Sequence, residues 1–321
     1  MKKLSVVIVS RNEENNIGRC LDSVFTAIKG IDAEVLLVDS CSEDDTVSIA
    51  RKYDVKIILL RKEWQLGCAA GYSTGFKNST GELVFFLDAD MSVHPEWLGK
   101  AVYFMDAHPD VAGVAGLGDE LRNGKKVPMP SYSVTGFVSS LPGVQVFRRS
   151  ALDDAGNFNP FMRGDEDHEL CGRLARKGYR FFRMDSLMVT HYGYSEEVLE
   201  VLKRAKYTIG SGQCLRLGAF NGTFFYHALR LRKTIAYTSF FAVSALLVIA
   251  GIFYPVIMLV VLAVHVVLFL SMIILKKGLA SAFRSYAGFW SKSFGFITGF
   301  LSGARPPESY PGNVTILWGH A

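Results

Sequence analysis

In Glu82-Leu-Val-Phe-Phe-Leu-Asp-Ala-Asp-Met91, five apolar residues run unbroken from Leu83 to Leu87 and stop at two acids, Asp88 and Asp90. Thr80-Gly81 precedes the run and His94-Pro95 follows it. A short apolar run between turn residues predicts a strand buried on both faces. Acids at its carboxyl end fall where open α/β sheets bind ligands. Residues i and i+2 of an extended chain face the same side, so the two carboxylates would lie close and repel. A divalent cation carrying a nucleoside diphosphate would answer that charge. A strand end with solvated acids explains the same letters, so the rest of the chain has to decide.

Upstream, the pattern repeats. Leu4–Val9 reads as a buried strand, Ser10-Arg-Asn-Glu-Glu as a polar turn, and Ile17, Cys20, Leu21, Val24 and Phe25 recur at helical spacing. Val35–Val38 is a second strand ending at Asp39, with a helix from about Thr46 after Ser42-Glu-Asp-Asp45. Lys56–Leu60 is a third strand. Leu66–Phe76, punctuated by Gly67, Gly71 and Gly75, is a helix able to pack closely or to approach a ligand. Strands alternating with helices predict an α/β domain with a mostly parallel sheet and right-handed crossovers.

Ser10-Arg-Asn-Glu-Glu, Val38-Asp-Ser-Cys-Ser-Glu-Asp-Asp-Thr46 and Leu87-Asp-Ala-Asp90, in that order, resemble family 2 glycosyltransferases. These are inverting enzymes with the A-type, Rossmann-like nucleotide-diphospho-sugar fold. The second segment is similar to the family's D-D-G-S-x-D-x-T, with Ser40 and Cys41 in place of Asp-Gly. Gly71-Tyr-Ser-Thr-Gly75 stands where the family has A-R-N-x-G. The resemblance covers roughly residues 4–195. It implies that Asp39 bonds the nucleobase or ribose with Asn12 and Glu13 nearby, and that Asp88 contacts ribose. It also implies that Asp90 ligates Mg²⁺ or Mn²⁺, which bridges the diphosphate and neutralises the leaving group. Asp44 is a second donor-side candidate, with helix capping as its competing role.

Leu141-Pro-Gly-Val-Gln-Val-Phe-Arg-Arg149 resembles the family's acceptor-side segment, with Gly143 and Val144 offering backbone groups to the donor sugar. Arg148-Arg149 also reads as a solvated basic pair. Gly113–Gly118 reads as a glycine-rich strand and Asp119–Tyr132 as a polar loop with no specific role. Asp165, Glu166 and Asp167 crowd the start of a helix ending at Gly178, more acids than capping requires. Transfer to a hydroxyl needs a base in line with the anomeric carbon. The family's E-D pair matches Glu166-Asp167, so Asp167 is the expected base and Asp165 its competitor. Arg180–Met184 and Leu187–Thr190 are strand-like, and His191 follows as the candidate second metal ligand, with a purely structural role as the alternative.

Composition divides the chain. Half of the 321 residues are hydrophobic, but from Thr234 to Leu275 only tyrosines and His265 can ionise. That exceeds the ~20 residues that cross a bilayer once. Basic residues flank the block at Arg230, Arg232 and Lys233 and at Lys276 and Lys277. Both flanks are therefore expected in the cytoplasm, joined by a two-helix hairpin turning near Tyr254-Pro255. A single long tilted or re-entrant helix is the alternative. His265 would bond a helix carbonyl. Val198–Leu217 reads as a basic amphipathic helix, and Phe283–Leu301 as a helix lying in the interface. The domains expected are catalytic residues 1–195, interfacial helices 196–233, the hairpin 234–275, and an interfacial helix with a tail over 276–321.

The net charge of +5 is modest and gives no reason to expect a nucleic-acid partner. Five scattered cysteines without C-x-x-C suggest free thiols in a reducing compartment. Met1-Lys-Lys leads straight into a strand, so the apolar block is the expected targeting element. Together these readings predict a membrane-anchored, metal-dependent inverting hexosyltransferase. It would move one sugar from a nucleotide diphosphate sugar to a hydroxyl of a lipid-linked glycan or other membrane-associated acceptor. A polyprenyl-phosphate sugar synthase is the rival, kept open by Arg148, Arg149 and Arg180. A processive synthase and a non-catalytic membrane adaptor that kept the fold are further alternatives.

Overall fold

The computed structural model describes residues 3–64, 66–122, 124–141, 143–192, 207–276, 278–302 and 305–319. Residues 198–206 of the expected amphipathic helix, and Lys277, lie outside them. The chain forms two compact units: Met1–Met162 with Glu166–Tyr194 and Arg305–Ala321, and Arg163–Asp165 with Ser195–Ala304.

Among the described residues, the first unit is built on one eleven-stranded sheet. Its first strands are β1 (Leu4–Ser10), β2 (Ala33–Asp39), β3 (Lys56–Leu59) and β4 (Leu83–Asp88). These four are parallel neighbours, as the alternating pattern predicts. Every residue of β1 is buried, which is why Val6–Val9 reads as an apolar run, while the buried Ser5 hydroxyl donates to Glu34. Helices α1 (Ile17–Ala27), α2 (Thr46–Ala50) and α3 (Cys68–Lys77) follow β1, β2 and β3. The glycines of α3 serve packing. A Cβ at Gly71 would lie 2.6 Å from a methyl of Val9, and one at Gly75 would lie 2.2 Å from a methyl of Val7.

Past β4 the sheet becomes mixed. β5 (Met91–Val93), α4 (Trp97–Ala107), β6 (Val111–Arg122), β7 (Lys125–Pro128), β8 (Gly136–Val138), β9 (Gln145–Arg148), α5 (Arg149–Ala155), α6 (Glu166–Arg176) and β10 (Arg180–His191) follow in order. Their pairings are antiparallel except that of β6 with β10. The expected polar loop from Asp119 is in fact the end of β6, its hairpin partner β7, and a 3-10 turn at Pro130–Tyr132. Charge hid this strand: Glu120 pairs with Arg122, and Asp119 lies 3.9 Å from Lys126, so the polar residues are met within the sheet. The two strand-like runs after Arg180 are one strand with register shifts near Leu187.

The chain's end also joins this sheet. β11 (Thr315–Trp318) runs antiparallel along β3 and covers that edge. Tyr310 packs on Trp64 and Phe161, anchoring the returning segment.

The second unit is helical: α7 (Thr208–Asn221), α8 (Phe224–Arg230), α9 (Arg232–Gly251), α10 (Pro255–Lys276) and α11 (Leu279–Leu301). α9 and α10 are long and apolar enough to cross a membrane. They are joined by a short turn before Pro255, where the sequence placed it. α7 and α11 meet at glycines: a Cβ at Gly212 would lie 2.0 Å from the Phe296 carbonyl, and one at Gly299 1.9 Å from that of Ile209. Small residues let helix backbones approach in this way. His265 bonds the Tyr286 hydroxyl of α11 at 2.5 Å instead of a helix carbonyl. The Trp290 and Phe241 rings stack around it.

Candidate active site

The candidate residues of the first unit fall into two groups at the carboxyl ends of the strands. The first braces the turns after β1 and β2. Ser10 pairs with Asp39 across the two strands. Buried Asp39 accepts hydrogen bonds from the Ser42 N–H at 2.8 Å, the Ser42 hydroxyl at 2.5 Å and the Ser10 hydroxyl at 2.9 Å. Asn12 accepts from the Glu43 N–H through Oδ1, while its own N–H donates to Ser42 Oγ. Asp44 accepts from the Thr46 N–H and hydroxyl and from the Glu14 N–H. Partial burial raises the Asp44 pKa, but these bonds outweigh it and hold the carboxyl below its ordinary value. Asp44 thus ties the start of α2 to the turn after β1. Asn12 and Cys41 both stand at positive φ, 56° and 61°.

The second group gathers at the ends of β4 and β10 and at the start of α6. Asp88 Oδ1 accepts from the Tyr72 hydroxyl at 2.6 Å. Burial, then the charge of Asp90, pushes the Asp88 carboxyl up to about 6, with Asp167 adding to the rise and Tyr72 and His191 opposing it. Asp90 Oδ2 lies 3.0 Å from His191 Nε2, and the Tyr192 N–H donates to the Asp90 carbonyl at 2.9 Å. Burial lowers His191, but its bond to Asp90 and the charges of Asp90, Asp88 and Glu120 raise it overall. Glu13 joins this neighbourhood. Burial raises it, and Asp90 raises it further. The charges of Asp90, His191 and Asp167 thus reach Asp88, and those of Asp90 and His191 reach Glu13.

Asp167 stands in the first turn of α6. Its Oδ2 accepts the Gly143 N–H and its Oδ1 the His168 N–H. Gly143 has φ 71°, and a Cβ there would meet the Tyr132 hydroxyl at 2.0 Å. That hydroxyl in turn accepts the Val144 N–H. Only glycine fits this loop. Glu166 contributes to the high pKa of Tyr72, behind burial and Asp88, which puts it near the same cluster. Asp165 is placed differently. It belongs with the helical unit, where its Oδ2 accepts from Ser211 Oγ at 2.6 Å and pairs with Arg230 at 2.7 Å. An ion-paired carboxylate is a poor base, so Asp167 is the better candidate.

The arginines kept open for a phosphate acceptor lie elsewhere. Arg148 pairs with Leu83 at the amino end of β4 and bonds the Met105 and His108 carbonyls. Arg149 bonds the Gly81 carbonyl and Ser79. Arg180 pairs with Asp110. Sequence reasoning passed over Tyr72, Tyr132 and Glu120. An aromatic inside a glycine-punctuated helix, or an acid in a charged hairpin, carries no motif.

A divalent cation can be tested against these side chains. Asp90 Oδ1 is buried and has no hydrogen-bond partner. A buried carboxylate oxygen beside further acids needs a cation or a donor. One carboxylate and one imidazole suit Mn²⁺ or Mg²⁺ when phosphate oxygens complete the shell. Among the described residues no three such side chains already converge as a metal site. Asp90 and His191 are the pair that could hold such a cation.

Residues 5–162, just under half of the chain, match the family described as Glycosyl transferase family 2. The chain carries a family 2 glycosyltransferase domain. It is 40% identical over 104 residues to glycosyltransferase AglE of Haloferax volcanii, covering 31% of this chain and 34% of that protein. It is 30% identical over 129 residues to a dolichol-phosphate mannosyltransferase of Pyrococcus furiosus, covering 39% and 35%. The match thus spans about a third of each of these relatives. Among solved structures, the mannosyltransferase PcManGT of Pyrobaculum calidifontis with GDP-Man and Mn²⁺ aligns at TM-score 0.57 and 20% identity, covering 93% of this chain and 86% of that one. Staphylococcus aureus TarS 1–349 with UDP-GlcNAc aligns at 0.54 and 20% identity, covering 74% and 75%. These likenesses establish the A-type transferase fold.

Proposed function

We propose that this protein is an inverting glycosyltransferase moving one sugar from a nucleotide diphosphate sugar to a hydroxyl of a lipid-linked glycan or other membrane-associated acceptor. The observation that carries this reading is the convergence on Asp88 of the charges of Asp90, His191 and Asp167, with Asp90 bonded to His191 and keeping a buried oxygen without a partner. Asp39, Asn12 and Glu13 would line the nucleoside side, and Asp88 the ribose. Asp90 and His191 would hold Mg²⁺ or Mn²⁺, whose charge offsets that developing on the diphosphate leaving group. Asp167 would take the proton from the acceptor hydroxyl as its oxygen attacks the anomeric carbon. The hydrogen bond from Gly143 would hold that carboxylate in place.

The helical unit supports a membrane setting. Two apolar helices flanked by basic residues suit a hairpin with both ends in the cytoplasm. A lipid-borne acceptor and an anchored enzyme then share one surface. The rival, a polyprenyl-phosphate sugar synthase, draws support from the Pyrococcus relative. It would want free cations near the acceptor, and the three arginines considered for that task are engaged at the other end of the sheet or on its surface.

The test is to incubate membranes containing the protein with a panel of labelled nucleotide sugars and extract the lipids. Label on a longer glycan, absent with Asp90→Ala and Asp167→Asn, supports the proposal. Label on a mild-acid-labile phosphodiester overturns it in favour of the rival. Neither hydrolysis nor transfer of any sugar would leave a non-catalytic adaptor.

A further inference from the structure

We propose that Glu120 is a positioning residue that sets His191 as a metal ligand, an inference that rests on the reading of Asp90 and His191 as holders of a divalent cation. Glu120 lies on β6 directly beside His191 on β10, paired in the parallel register. Its side chain is only 8% exposed, and its Oε2 lies 3.9 Å from His191 Nδ1. Its other oxygen is held by Arg122, whose Nε donates to it at 2.7 Å. The imidazole is therefore bracketed, with Nε2 against Asp90 and Nδ1 facing a fixed carboxylate. Nδ1 is buried and has no hydrogen-bond partner.

The chemistry of a bound cation gives this arrangement a use. When Nε2 ligates a metal, the neutral ring carries its one proton on Nδ1, and that N–H needs an acceptor. Metal-bound histidines nearly always donate this proton to a carboxylate, carbonyl or water. Glu120 is the carboxylate facing it, and a small side-chain adjustment closes the gap. Arg122 keeps Glu120 from turning away and offsets its charge inside the sheet. The β6–β7 hairpin thereby acquires a task that its composition does not announce.

The experiment uses the full chain in detergent and follows Mn²⁺ binding by loss of the free-ion EPR signal, with UDP or GDP present. Wild type is expected to bind and Asp90→Ala to lose binding. Glu120→Ala should weaken Mn²⁺ affinity about 10- to 100-fold. Glu120→Gln keeps an acceptor oxygen and should bind close to wild type. Melting temperatures without metal show whether each variant is folded, and the Gln variant keeps the test alive if Ala unfolds. If wild type binds no Mn²⁺, or Asp90→Ala still does, both this inference and the metal reading fail. If those two behave as expected but Glu120→Ala binds like wild type, only the role of Glu120 fails. Equal losses in Ala and Gln would also overturn it, because the charge and not the acceptor would then matter.

Discussion

Two sets of acids stand at neighbouring strand ends, and they differ in where their hydrogen bonds go. At the ends of β1 and β2, the oxygens of Asp39 and Asp44 are met by Ser10, Ser42, Thr46 and the Glu14 N–H. At the end of β4, Asp88 has one hydroxyl and a raised pKa, and Asp90 keeps a buried oxygen with no partner. Saturated carboxylates hold a scaffold together. Carboxylates crowded and left short of donors cost stability unless a ligand supplies the missing charge. Letters alone make the two sets look alike, since both are acids after apolar strands. The bonding separates a supporting set braced by the chain itself, from which Asp39 is also proposed to reach the nucleoside, from a proposed working set left short of donors.

The largest expected effect tests the working set. Asp90→Ala should lower transfer about 10²- to 10³-fold or more, the scale of losing one electrostatic stabiliser. The melting temperature without metal should change little, because loss of the bond to His191 is offset by removal of a carboxylate that crowds Asp88. Asp167→Asn should lose transfer with donor binding retained, measured as nucleotide affinity. A melting temperature that drops sharply in Asp90→Ala would mean that Asp90 is part of the scaffold after all.

Asp44→Ala tests the supporting set and should do the reverse. Removing its bonds to Thr46 and Glu14 should cost about 1–2 kcal/mol in urea unfolding, like loss of a helix cap. The rate per folded molecule should stay near wild type. A large fall in rate at unchanged stability would move Asp44 to the donor site.

How much of this was legible depends on how each element is stabilised. The parallel half was readable because β1 and β4 are buried on both faces, which forces unbroken apolar runs such as Leu83–Leu87. The mixed half was readable only in part: Gly113–Gly118 and the runs from Arg180 read as strands, but their charged ends and short partners did not. β6 ends in Asp119-Glu-Leu-Arg122, whose charges are met partly within the strand and its hairpin and partly by His191, some 70 residues away. β11 is four residues whose partner, β3, lies some 250 residues upstream, a pairing that no local pattern encodes. The site divides the same way. Asp88 and Asp90 were visible as acids on an apolar run, whereas Tyr72 is buried in α3 and shows its role only through its bond to Asp88. Asp165 and Asp167 could not be told apart by spacing. The structure gives the first an ion pair with Arg230, which favours the second as the proposed base.

Asp88→Asn sharpens the comparison through pH. A carboxyl raised to about 6 in the folded protein and near 3.8 when unfolded binds more protons folded than unfolded between those values. Its contribution to stability therefore falls as pH rises through that window, the opposite of a paired carboxylate. Asn keeps an oxygen for Tyr72 and removes the charge. Without metal, Asp88→Asn should melt higher than wild type at pH 7, and the gap should close as pH drops from about 6 toward 4. Added Mn²⁺ with nucleotide should shrink the gap from the wild-type side. A gap that stays constant across that range would show that the Asp88 charge is not the source of strain.

The smallest effect concerns the turn after β2, where Cys41 stands at φ 61° in place of the family's glycine. A side chain in this region costs roughly 1–2 kcal/mol. Glycine would remove that strain but loses about 0.5–1 kcal/mol through the greater freedom of the unfolded chain. It would also lose the Cys41 Sγ contact to the Leu60 carbonyl at 3.0 Å, a weak bond for a thiol. Strain relief and these losses nearly cancel, so Cys41→Gly should shift stability by less than about 1 kcal/mol, on the stabilising side. Activity should be unchanged, because Asp39 keeps its bonds to Ser10 and Ser42. If transfer falls while the melting temperature holds, the thiol itself touches the donor beside Asp39, and the turn after β2 does more than brace the strands.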